Sequence, residues 1–256
     1  MRDLGTGPEP RLELGLDGAV VLVTGGTRGV GAGISRAFSR AGARVLVCGR
    51  TRPEDTSGFL PCDVREPEQV DGLIEEIVAE YGRLDVVVNN AGGAPFAEAA
   101  TTSPRFHAKV VELNLLAPLI VAQRANAVMQ KQESGGSIVN VSSVSGTRPS
   151  PGTAAYGAAK AGLANLTASL GVEWAPKVRV NALCVGLVRT DLSHLHYTDA
   201  AISTIPLGRL AEPEEVGNCA VFLASPLASY VSGATLTVHG GGELPAFLVA
   251  DRERKP

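Results

Sequence analysis

Cysteine is scarce in this sequence, and the little there is lacks pattern. Cys48, Cys62, Cys184 and Cys219 show neither CxxC nor Cys/His ligand spacing, so they point to neither a disulfide framework nor a zinc site, and no metal is expected. Cys48, Cys62 and Cys184 fall in strand-like runs and read as small buried hydrophobes in a reducing, cytoplasmic setting. Long apolar runs are missing too. None could span a bilayer, and the opening MRDLGTGPEPRLELGLDG lacks the apolar stretch of a secretory signal, so a soluble protein with no membrane partner is expected. Charged residues are only 19% of the chain, the net charge is -3, and no dense basic stripe occurs, which argues against a nucleic-acid partner. No composition break divides the 256 residues. One domain is expected over 17–242, after a leader at 1–16 and before a tail at 243–256.

What is present is apolar and glycine-rich, with 45% hydrophobic residues and 30 glycines, a composition suited to an α/β enzyme. A continuous apolar run at 19–23 reads as a parallel strand buried on both faces. It leads into TGGTRGVG, from Thr24 to Gly31, and then a helical segment over about 30–41. Strand, glycine loop and helix in that order let backbone N–H groups and the helix N-terminus face a pyrophosphate, with Gly25, Gly29 and Gly31 permitting close approach and Thr27, Arg28 and Val30 between them. The second strand, 44–48, ends at Gly49-Arg50, where an NAD site would offer an acid to the ribose. Arg50, with Arg28 and Arg52 near, suits a 2′-phosphate instead. NADP(H) is therefore preferred, and NAD(H) stays open because Glu54 or Asp55 could reach a ribose.

The segment 51–58 is too short for a crossover helix, and 59–62 reads as a short third strand ending at Asp63-Val64. Beyond it come a helix at 67–81, a strand at 84–88 closed by Asn89-Asn-Ala-Gly-Gly93, a long helix at about 104–129 carrying Asn114, and a strand at 137–141. A helix from Tyr156 to 173 or 174 follows, then strands at 178–183 and 234–238, with an irregular stretch at 188–210 between them. The alternation predicts a doubly wound Rossmann fold, a seven-stranded parallel sheet with helices on both faces and a crevice at the carboxyl ends of the strands.

The chemistry centres on Ser143 to Lys160, SVSGTRPSPGTAAYGAAK. Tyr156 and Lys160 lie one helical turn apart on one face. A fixed ammonium beside a phenol favours the phenolate and lowers a pKa that is ordinarily about 10, and Ser143 could hydrogen-bond the same substrate oxygen. Alone, the spacing more often marks a packed ring beside a solvated amine.

The rest of the chain changes that balance. Thr24 to Gly31, Asp63-Val64, Asn89-Asn-Ala-Gly92, Asn114, Ser143, Tyr156 and Lys160 occur in an order and spacing that resembles the classical short-chain dehydrogenase/reductase family, of the 3-oxoacyl-ACP-reductase-like kind. The resemblance implies hydride transfer between nicotinamide and a secondary alcohol or ketone. It makes Tyr156 the general acid/base, Ser143 the group that orients the reacting oxygen, Lys160 a ribose ligand that lowers the Tyr156 pKa, and Asn114 the holder of a relay water. Asp63 and Val64 would hold adenine, Asn90, Ala91 and Gly92 would lie along the adenosine side, and Val188 and Thr190 would contact nicotinamide. Val185-Gly186 departs from the family's usual Pro-Gly. A lid over about 188–210, with His194 and His196 as surface or substrate-facing residues, and a homotetramer follow by the same resemblance. The resemblance also implies, as substrate, a 3-oxoacyl thioester or a cyclic, steroid-like ketone or alcohol. A protein of this fold that binds nucleotide without turnover is the alternative from another class.

Overall fold

The computed structural model describes residues 13–53, 57–191, 193 and 197–245. Most of the leader and tail, and Glu54, Asp55, His194 and His196, lie outside the described residues. Seven strands form one sheet: β1 Val20–Thr24, β2 Arg44–Gly49, β3 Phe59–Pro61, β4 Val86–Asn89, β5 Gly136–Ser143, β6 Val178–Val185 and β7 Thr235–Val238. All neighbours are parallel, in the order β3-β2-β1-β4-β5-β6-β7. The order reverses between β1 and β4, and a crevice opens at their carboxyl ends.

The apolar run of β1 is continuous because both of its faces are covered. Leu22 joins a core with Val70, Ile74 and Ile77 of α2, Pro67–Tyr81, and with Val121, Ala125 and Met129 of α4, Ala117–Met129. Val21 and Val23 point the other way, to Ile34 and Phe38 of α1, Gly29–Arg40, and to Val216 and Ala220 of a helix at Pro213–Ala224. That last helix was assigned no element in the sequence. Its start is marked by Glu212 and Glu215, which form a reciprocal capping box around Pro213, and Glu214 meets Arg36 of α1 at 2.6 Å.

The expected helix over 104–129 is three pieces. α3 spans Pro104–Val111, a π-helical turn spans Glu112–Leu116, and α4 follows. Pro118 accounts for the break, since it has no N–H for the carbonyl of residue 114 and its ring crowds that carbonyl. The insertion sits at Asn114 itself. β5 and β6 run two residues further than expected, carrying Ser143 and Val185 to the same level in the sheet. α5, Ala154–Glu173, begins two residues before Tyr156. The stretch 188–210 contains the short helix α6, Asp199–Ser203, so the helix at Pro213–Ala224 is α7.

Candidate active site

Thr24, the last residue of β1, ties the glycine loop to the end of β4. Its hydroxyl oxygen accepts from the N–H groups of Asn90 (3.0 Å) and Ala91 (2.9 Å). Asn90 returns the contact, its amide donating to the carbonyls of Thr24 (2.9 Å) and Gly25 (3.1 Å). Gly25 has φ of 63°, and a Cβ there would stand 3.1 Å from the Ala91 Cα. The loop thus lies backbone to backbone against Asn90-Ala91. Arg28 is the exposed N-cap of α1. It makes no side-chain cap, and the first turn contains no acid. The N–H groups of that turn and its positive dipole end have no anionic side chain of their own helix beside them, so they suit a phosphate. Thr27 and Val30 are half-buried, and Thr190 lies against the loop, its Cγ2 3.3 Å from where a Cβ on Gly29 would be. Val188 is buried and bridges Ala211.

At the outer rim Arg50 is exposed just past β2. Arg52 is committed elsewhere, donating to the Phe59 carbonyl at 2.8 Å with its guanidinium 5.5 Å above the Phe59 ring, so it leaves Arg28 and Arg50 as the basic groups facing outward. Asp63 is held by Arg65 through bonds of 2.9 and 2.5 Å. These bonds keep its carboxyl below the usual carboxylate range, with a smaller contribution from Arg50. Val64 beside it is buried.

Deeper in the crevice, Asn114 is fully buried. Its amide donates to the carbonyls of Val110 (2.9 Å) and Gly93 (3.0 Å), and its oxygen accepts from the Gly93 N–H (2.8 Å). A Cβ on Gly92 would lie 2.7 Å from that oxygen and 3.4 Å from Lys160 Nζ, so Gly92, Asn114 and Lys160 meet at one point. Lys160 Nζ donates to the Val141 carbonyl at 2.7 Å. Burial pulls its pKa from 10.5 down to about 8. Ser143 accepts from the Ser145 N–H at 3.2 Å and lies within electrostatic reach of the Tyr156 phenol.

The lowering of the Tyr156 pKa expected from its lysine neighbour is not what the structure shows. Burial raises it, the nearby Ser143 hydroxyl lowers it by less, and Tyr197 adds to the rise. The reason is geometric: the Lys160 ammonium stands over the ring face, 5.7 Å from its centroid, and the amine is itself desolvated. A raised pKa keeps the phenol protonated at neutral pH, which suits a proton donor.

Residues 25–243 match the family described as Enoyl-(Acyl carrier protein) reductase. The chain belongs to the short-chain dehydrogenase/reductase family. It is similar to a 3-oxoacyl-[acyl-carrier-protein] reductase of Chlamydia muridarum, 36% identical, covering 86% of this chain and 95% of that one. It is equally similar to a 3alpha-hydroxysteroid dehydrogenase of Mediterraneibacter gnavus, 36% identical over 88% of this chain and 97% of the other. The ligand-free aldohexose dehydrogenase of Thermoplasma acidophilum superposes with a TM-score of 0.84 at 29% identity, covering 88% of this chain and 94% of that one. Like its relatives, this short-chain dehydrogenase/reductase is an oxidoreductase acting on CH–OH groups with a nicotinamide cofactor.

The structure also brings toward the site one residue that sequence reasoning did not single out. Tyr197 reaches Tyr156 electrostatically; as one more tyrosine in an irregular stretch it carried no sequence signal. Asn89 donates to the Pro118 carbonyl (3.1 Å) and to the Asn140 side chain (2.9 Å), and Asn140 passes the chain to Thr167 (2.9 Å). These buried amides fasten β4, β5, α4 and α5 together beneath the crevice. Phe96, 74% exposed, lies over Gly152 and faces the loop before Tyr156.

Proposed function

We propose that this enzyme interconverts a secondary alcohol and a ketone with NADP(H), using Tyr156 as general acid/base. The observation that carries the reading is the buried Lys160 amine standing 5.7 Å from the Tyr156 ring centroid, one turn along the same helix, with Ser143 close enough to bear on the phenol. Nicotinamide, when bound, supplies or accepts the hydride. In reduction the Tyr156 hydroxyl gives its proton to the substrate oxygen while the Ser143 hydroxyl holds that oxygen in place. Lys160 would hold the nicotinamide ribose through its amine, and Asn114 would position the water through which Tyr156 is reprotonated. Gly25, Thr27, Arg28, Gly29, Val30 and Gly31 would line the pyrophosphate, with Asp63, Val64, Asn90, Ala91 and Gly92 along the adenosine and Val188 and Thr190 at the nicotinamide.

The preference for NADP(H) rests on two exposed arginines, Arg28 and Arg50, flanking the place where the adenosine ribose would lie, with no acid closing β2 among the described residues. By analogy with its relatives, 3-oxoacyl thioesters and steroid-like or cyclic ketones and alcohols are the substrate classes to screen. A cytoplasmic homotetramer packed through its long helices is part of the same reading, and sedimentation showing only monomers would remove that part.

The test is a fluorescence titration with NADPH and then NADH, followed by ketone turnover with the tighter one. Tighter NADPH binding and turnover are expected. Tighter NADH binding would overturn the Arg28 and Arg50 reading, and binding without any turnover would turn the reading toward a nucleotide-binding protein without catalysis.

A further inference from the structure

One ion pair beyond the carboxyl ends of β5 and β7 is used neither by the cofactor groups nor by the proton-transfer groups. Arg148 lies in the loop between Ser143 and Tyr156. Its Nη2 is 2.6 Å from the Glu243 carboxylate, and its Nη1 donates to the Pro149 carbonyl at 3.1 Å. Glu243 follows the glycines that end β7, and that segment is joined to the stretch around α6. The Leu207 N–H donates to the Gly240 carbonyl (3.1 Å) and the Leu244 N–H to the Thr204 carbonyl (2.8 Å). The pair therefore links the loop between Ser143 and Tyr156 to residues 240–244 and, through them, to Thr204 and Leu207. Tyr197 is within electrostatic reach of Glu243 and Arg148 and also of Tyr156.

We propose that Arg148 and Glu243 form a clasp over the substrate mouth that sets charge selectivity, favouring neutral ketones and alcohols over those bearing a carboxylate or phosphate. The inference rests on the reading of Tyr156 as the reacting group. Glu243 satisfies the one guanidinium of this loop and presents a carboxylate of its own, so an anionic substrate must displace it against like-charge repulsion. The side chains are 38% and 32% exposed, so the pair is weak enough to open for substrate entry. A neutral substrate passes without having to replace either charge.

The experiment compares methyl acetoacetate with acetoacetate, one 3-oxo skeleton with and without a charge, as a ratio of kcat/KM in the wild type, Glu243→Gln and the double variant Arg148→Gln/Glu243→Gln. Glu243→Gln should raise the anion-to-ester ratio at least about fivefold by releasing Arg148, and the double variant should lose that gain. An unchanged ratio in Glu243→Gln, or a gain that survives loss of Arg148, would overturn the clasp. If the wild type turns over neither compound, the clasp is still decided by acetoacetate binding, read as protection against thermal unfolding in NADPH. Binding at least about fivefold tighter in Glu243→Gln supports it and equal binding overturns it, while the oxidoreductase reading is judged separately by the ketone screen.

Discussion

The two halves of the crevice are built from different material. The cofactor half is assembled at strand ends from buried side chains bonded to backbone: Thr24 to Asn90 and Ala91, Asn114 to Gly93 and Val110, Lys160 to Val141. The substrate half is made of exposed pieces, namely Phe96 on Gly152 and the Arg148–Glu243 pair. Bonds buried away from water cost stability when broken and so hold a fixed geometry. Exposed ion pairs and aromatic contacts shift at little cost. On the proposed function, the rigid half would fix the reaction and the exposed half would leave the choice of substrate open.

The sharpest break of that contrast is at its shared edge, the Tyr156 hydroxyl. Tyr156→Phe should lower turnover about a thousandfold, with NADPH affinity in the fluorescence titration changed by no more than about threefold. Near-normal rates would remove the assigned acid/base. The next largest effect is thermodynamic. The Lys160 amine falls from 10.5 in an exposed chain to about 8 in the fold because of burial. Below pH 8 it is protonated in both states and the folded state bears the full desolvation cost. Between about 8 and 10.5 the folded state loses its proton first, so the unfolded state binds more protons and stability rises with pH. Measured by urea unfolding, the wild type should gain about 2 kcal/mol relative to Lys160→Met between about pH 7 and pH 9.5. A difference that stays flat would show the amine to be hydrated.

Gly92→Ala tests the rigidity of the cofactor half without removing a titratable group. The new Cβ would fall 2.7 Å from an Asn114 oxygen that is already bonded to Gly93 N–H, so the amide cannot swing aside freely. Turnover should drop about thirtyfold through misplacement of Asn114 and Lys160. Gly72→Ala on α2, where a Cβ meets nothing within 4 Å, should leave rate alone and stabilise the helix by about 1 kcal/mol. Equal effects of the two substitutions would mean that the crevice tolerates movement.

The same division governs what could be read from the sequence. Strand, glycine loop and helix, and the residues from Asn89 to Lys160, keep fixed spacings because their side chains bond backbone at set places, so the sheet, and which residues gather at its carboxyl ends, were legible. The π turn at Asn114 was not, although Pro118 was its visible cause. α7 went unassigned even though Glu212, Pro213 and Glu215 spelled its start. The Tyr156 pKa was misjudged in direction because spacing reports a neighbour's charge and says nothing of burial. Arg52 was counted among the phosphate-facing groups until its bond to the Phe59 carbonyl placed it elsewhere. Arg148 and Glu243, 95 residues apart, and Tyr197 meet only through tertiary folding of exposed loops, and no local pattern announces that.

The smallest effect probes the substrate half directly. Gly152 has φ of 75°, and a Cβ there would fall 2.0 Å from the Phe96 ring, while the Ala97 N–H donates to the Gly152 carbonyl at 2.7 Å. Alanine would both strain the left-handed backbone and push the ring from its seat. Because Phe96 is exposed, the ring can move outward, so the cost falls on substrate contact more than on folding. Gly152→Ala should raise KM about threefold with kcat little changed, the pattern of lost ground-state contact. If the ring is the wall that matters, Phe96→Ala should do the same, and combining the two should add nothing further. Additive effects would instead place the loss in the backbone at Gly152, and the loop leading to Tyr156 would then belong with the rigid half of the crevice.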